Sequence, residues 1–122
     1  MIATNNMITE LNDNQRFVFG SNLAGKHIGG AAALAHEKFG AKWGWCEGLT
    51  GKSYAFPTLD EHFQQVSQEQ LEKSRDNLYA TARYYPELEF LLTPVGTGIA
   101  RFSFDVINEL FKNLPSNIKK LW

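Results

Sequence analysis

The sequence predicts an α/β fold in three layers, α/β/α, around a mixed and mostly parallel sheet. Short β-forming runs alternate with segments of helical spacing in the order β, α, β, α, β, α, β, the pattern of a sheet covered by helices on both faces. The segment Leu88–Val95 contains FLLTPV, a near-continuous apolar run of the kind found in strands buried on both sides. Glycine-rich turns follow the first and third of these strands, at the carboxyl ends where open α/β sheets bind ligands.

Each element has a local cause. Arg16–Phe19 is too short for a helix and rich in β-formers, so it reads as a buried strand that stops at Gly20. Ala31–Phe39 places Ala31, Leu34, Ala35 and Phe39 on one face at helical spacing, and Gly40 is a natural stop. An aromatic and glycine-rich stretch, Lys42–Gly51, precedes a short strand, Ser53–Phe56, that Pro57 is expected to halt. Ser67 can cap a second helix, with Gln70 as its capping-box partner, running to about Tyr85 before Pro86. Its inner stripe is Leu71, Leu78, Ala82 and Tyr85. Ser103 can cap a third, with Asp105 in the first turn and Ile107, Leu110, Phe111 and Leu114 facing inward. Pro115 ends it, and Asn117–Trp122 is expected as a closing strand.

The 122 residues suffice for one core, so residues 16–122 form one domain. Residues 1–15 are a polar lead-in that can add an edge strand around Met7–Leu11. A net charge of -1 argues against a nucleic-acid partner, whose phosphates call for clustered Lys and Arg. No apolar run approaches the roughly 20 residues of a membrane span. The N-terminus lacks the basic and apolar regions of a secretory signal, so the cytoplasm is the expected compartment. The lone Cys46 reads as a small, partly buried side chain rather than a thiolate nucleophile. His27, His36 and His62 lack metal-ligand spacing, and no metal or other cofactor is implied.

Two loops can carry chemistry. The first, Gly20–Ala31, includes Ser21, Asn22, Gly25, Gly29 and Gly30 and leads from a strand into a helix. Its glycines let backbone approach a ligand, and the helix start offers unpaired N–H groups to an anion. It matches neither the Walker A nor the GxGxxG pattern. The second, Val95–Ser103, includes Gly96, Thr97, Gly98 and Ile99, with Arg101 as a source of charge-assisted hydrogen bonds. Together they could clamp a diphosphate from both sides. Asp60, in the Asp60-Glu61 pair, and His27 are the candidate acid–base groups. Trp43, Trp45, Tyr54 and Phe56 are mostly core residues by this reading, though an aromatic near such a loop can stack on a base.

The order NLAG, GGAAALAHEKFGA, SYAFPT and VGTGIARFSFDVINELF resembles a small macrodomain, in particular the minimal macrodomains that hydrolyse terminal ADP-ribose from proteins. A group of uncharacterised phage and prophage proteins, with FVFGSNLAG, SYAIPTK and a late GxGxA loop, is more similar still. The resemblance spans Phe17 to about Phe111. It implies an ADP-ribose-like ligand, with Asn22 and Gly25–Ala31 holding the distal ribose and part of the diphosphate. Gly96–Ile99 would then wrap the diphosphate from the other side, with Phe102 near the ribose or phosphates.

The chain departs from the hydrolysing pattern at three positions. Leu59 stands where those enzymes have a lysine nucleophile, and Ala100 where they have an acid. Ile28 replaces a glycine of the first loop. Leu and Ala cannot attack or carry a proton. The expected function is therefore nucleotide binding without the lysine mechanism. The alternatives are an ADP-ribosyl or phosphoester hydrolase using Asp60 or His27, and a phage accessory protein that acts on a protein partner through Trp43–Trp45.

Overall fold

Val18 and its neighbours Phe17 and Phe19 are all fully buried, yet they belong to two different cores. Strand side chains alternate between faces, so one strand in the middle of a sheet feeds both. The computed structural model describes residue 8 and residues 10–122, and these described residues form an α/β protein with a five-stranded, mostly parallel mixed sheet and three helices. In chain order these are β1 (Gln15–Asn22), α1 (Gly30–Lys38), β2 (Gly48–Thr50), β3 (Ser53–Leu59), α2 (Gln68–Tyr84), β4 (Glu89–Leu92), α3 (Phe104–Leu110) and β5 (Ile118–Lys120). The sheet order is β2-β3-β1-β4-β5, with β2 alone antiparallel.

The layers follow from the alternation. Phe17 and Phe19 of β1 and Ala55 of β3 pack with Ala32 and Ala35 of α1 and with Phe39 at its C-cap. Val18, Tyr54 and Phe56 pack with Leu71 and Leu78 of α2 and with Ile107 and Leu110 of α3. Small alanines on the α1 side bring that helix close to the sheet. On the other face, Asn117 Nδ2 donates to the carbonyls of Ala82, Tyr85 and Leu88, tying the end of α2 to the approaches of β4 and β5.

Several expected boundaries move. The first strand is longer than Arg16–Phe19 because it stays paired to β3 as far as Asn22. Pro57 does not halt the second strand. The Lys52 carbonyl accepts from Phe17 N–H, so even-numbered residues of β3 bond toward β1 and Pro57 faces the other way. On that side β2 ends at Gly48, opposite Ala55, so the missing N–H has no partner to lose. The β2 hairpin is an addition within Lys42–Gly51. β4 covers only Glu89–Leu92 of the expected Leu88–Val95, α3 stops at Leu110, and the closing strand is confined to Ile118–Lys120. Ser67 caps α2 by accepting from Gln70 N–H, but the Gln70 side chain turns to Ser74 Oγ and leaves the box half-made. Of the edge strand expected around Met7–Leu11, Met7 and Thr9 lie outside the described residues; Ile8, Glu10 and Leu11 are in no strand. Among the described residues, no helix is long and apolar enough to cross a membrane.

One core group gives the fold a pH limit. Burial pushes the Tyr54 phenol up to about 12, with the Glu47 carboxylate adding to the effect and Thr81 opposing it. The folded state thus prefers the neutral phenol, and its stabilising contribution is complete below the unfolded value near 10. The contribution is lost as pH rises from about 10 to 12, a fall of about 2–3 kcal/mol. Urea midpoints measured across that range should drop in the wild type, and the drop should be smaller in Tyr54→Phe.

Candidate functional site

The carboxyl ends of β3, β1 and β4 lie side by side and open into a cleft of about 710 Å³. Its floor is the end of β1 (Gly20, Ser21, Asn22), the end of β3 (Thr58, Leu59) and Thr93-Pro94-Val95 after β4. The register of β3 against β1 slips here. Ser21 pairs with Pro57 and Asn22 with Leu59, leaving Thr58 as the extra residue. Such a bulge bends the strand and re-aims a side chain. Thr58 lines the cleft, and its hydroxyl makes a long bond, 3.4 Å, to the Ser21 carbonyl.

The first loop is built around Asn22. Its side-chain amide donates to the Lys26 carbonyl (2.8 Å) and its oxygen accepts from Lys26 N–H (3.0 Å), closing the turn. That leaves Asn22, which also lines the cleft, one amide hydrogen and part of its acceptor capacity for a ligand. Gly25 has another task. A Cβ there would sit 2.5 Å from the Gly44 carbonyl carbon, and the Gly25 carbonyl accepts from Gly44 N–H. Ser21 Oγ donates to the Cys46 carbonyl, so both contacts fasten the loop to the 42–47 segment.

α1 then begins without a side-chain cap. Its N-cap is Gly29, in extended conformation. The N–H groups of Gly30, Ala31 and Ala32 have no carbonyl one turn back to bond. All four residues line the cleft. Facing them is the second loop, with the Gly29 Cβ position only 3.5 Å from Ile99 Cδ1. Phe102 N–H bonds the Gly96 carbonyl and Arg101 N–H the Gly98 carbonyl, which folds the loop back on itself. Among the described residues, the N–H groups of Gly98, Ile99 and Ala100 have no protein acceptor.

Of the residues expected to bind a ligand, Gly20, Ser21, Asn22, Gly29, Gly30, Ala31, Gly96, Thr97, Gly98 and Ile99 line this one cleft. Gly25, Arg101 and Phe102 do not. Arg101 is exposed, and Phe102 packs against the core beneath Gly96.

Neither candidate acid–base group reaches the cleft either. His27 is 3% exposed, its Nε2 bonds the Lys42 carbonyl, and its ring packs edge-on to Phe19 and Trp43. Asp60 is tied into its own turn, with Oδ1 accepting from the N–H groups of His62 and Gln64. The Gln64 N–H, joined by that of His62 and by its ring, holds the carboxyl below the usual carboxylate range and makes it a poor base.

The cleft also holds residues the sequence did not single out for it. Among the described residues Lys26 is the only charged one that lines it, and Phe63, Phe104 and Ile28 join the expected Ile99 in an exposed apolar rim. Among the described residues no carboxylate, histidine or thiol lines it. Among the described residues there is no cluster of three or more side chains able to hold a metal. The cleft thus combines free backbone donors, one cation and apolar walls, an arrangement that can hold an anion with a flat or apolar appendage. Comparison with known protein families, with curated proteins and with solved structures finds no match.

Proposed function

We propose that this cleft binds ADP-ribose or a related adenosine-diphosphate nucleotide without hydrolysing it. The observation that carries the reading is the convergence of two glycine-rich loops with unpartnered N–H groups on one cleft whose only charged lining residue, among the described residues, is Lys26. Backbone donors at a helix start favour phosphate oxygens, and a single lysine adds a point charge. The diphosphate lies between the start of α1 and residues 96–100, with the apolar rim left for the nucleoside. Leu59 and Ala100, where similar hydrolases carry a nucleophile and an acid, both line the cleft and can supply neither. Free nucleotides make the cytoplasm the natural compartment.

The test is a thermal-shift titration with ADP-ribose, NAD, cyclic ADP-ribose and AMP. A ligand at about 100 times its Kd should stabilise by about 2.7 kcal/mol and raise Tm by roughly 8 °C. An ADP-ribosylated peptide incubated with the protein should remain intact. No shift with any of the four overturns the reading.

A second reading, docking of a protein partner, draws support from Trp43 and Trp45, which are 49% and 43% exposed. It predicts that Trp43→Ala and Trp45→Ala leave nucleotide shifts unchanged while abolishing partner capture. Hydrolysis through Asp60 or His27 has no comparable observation in its favour.

A further inference from the structure

We infer that Phe63 is the stacking platform that makes the cleft select a planar base carried on a diphosphate, an inference that rests on the nucleotide reading above. Phe63 has φ 61, a left-handed backbone that bulky side chains seldom adopt. Packing does not explain it, because Phe63 belongs to neither hydrophobic core and is 43% exposed. Strain of this kind persists only where the surroundings enforce it, and it gathers at ligand sites.

The surroundings here are specific. Asp60 N–H donates to the Gln64 carbonyl at 2.8 Å and Phe63 N–H to the Asp60 carbonyl at 3.1 Å, while the Asp60 carboxylate accepts two further N–H groups. Leu59 bridges to Gln65, whose side-chain amide donates to the Ala100 carbonyl at 2.7 Å. The tight hairpin is thereby pinned to the second glycine loop, and Phe63 is presented at the cleft with its backbone fixed. A pre-placed ring is what base stacking needs, and every nucleobase has a face to offer it. The other aromatic lining the cleft, Phe104, is the first residue of α3 and carries no such constraint.

The experiment is calorimetric titration of the intact protein with ADP-ribose, and with inorganic pyrophosphate as a competitor, for the wild type, Phe63→Gly, Phe63→Trp and Phe104→Ala. Phe63→Gly should keep or raise Tm, since glycine suits the backbone there, so lost binding cannot be put down to unfolding. Its affinity for ADP-ribose should fall about tenfold while that for pyrophosphate stays unchanged, and Phe63→Trp should retain the wild-type preference. Equal losses for both ligands, or a loss in Phe104→Ala but not in Phe63→Gly, overturn the inference while leaving the nucleotide reading intact. A wild type that binds neither ligand overturns the nucleotide reading, and the inference with it.

Discussion

Gly96→Val should cost the protein about 4 kcal/mol of stability and on the order of 15 °C in Tm. Gly96 has φ 79, and a Cβ built on it would lie 3.0 Å from Phe102 Cδ2 and 3.2 Å from Thr58 Cγ2. Two costs therefore add. A β-branched residue in the left-handed region is strained by about 1–3 kcal/mol, and forcing volume into a packed site adds a similar amount. Neither neighbour yields easily, because Phe102 N–H is bonded to the Gly96 carbonyl and Thr58 sits in the bulge of β3. Gly96→Ala should fall about midway, at roughly 2 kcal/mol. Chemical denaturation of the three proteins checks the series, and an unperturbed Val variant would mean that the second loop is far more compliant than its hydrogen bonds indicate.

Gly29→Asp should move stability and binding in opposite directions. Gly29 is an N-cap with no side chain to cap, and its Cβ position has only Ile99 Cδ1 nearby, at an ordinary 3.5 Å. A carboxylate there accepts from the N–H groups of Ala31 or Ala32 and meets the favourable end of the helix dipole. The folded protein should gain about 0.5–1 kcal/mol. The same carboxylate occupies the donors assigned to the diphosphate and repels it. ADP-ribose affinity should therefore fall by at least about 100-fold, the scale of like charges a few ångströms apart near a protein surface. Adenosine, which lacks the phosphates, should be affected much less. Unfolding curves and titrations on one preparation give both numbers. Undiminished ADP-ribose binding in a stabilised variant would remove the diphosphate from the start of α1.

Much of this site was legible in the sequence. The glycine loops at the ends of β1 and β4 stand out because strand, loop and helix start are contiguous in the chain, and a parallel sheet puts such loops on one edge. What the sequence concealed depends on partners far along the chain. β2 has three residues, Gly48–Thr50, too few for any periodicity, and exists only because it pairs with β3. Pro57 reads as a stop, but its effect depends on which side of the strand has a neighbour. Asp60 reads as a base in an open loop, but its Oδ1 is taken up within four residues by two backbone N–H groups that no composition argument counts. His27 looked available until the 42–45 segment folded over it. Phe63 carries no motif at all and Lys26 is an unmarked residue within the first glycine loop, and their place on the cleft is a matter of how two turns are closed.

The close approach of Gly25 to Gly44 also bears on how this sequence is free to drift. Gly25 is needed whether or not anything is bound, because any side chain there collides with backbone 19 residues away. Gly98 is the opposite case, with an unremarkable φ and nothing within 4 Å of its Cβ position. Selection for folding alone will hold Gly25 and release Gly98, whereas selection for the ligand will hold both. Invariance at Gly25 among descendants of this chain therefore carries no information about function, and the record of what the cleft has been used for is kept at Gly98.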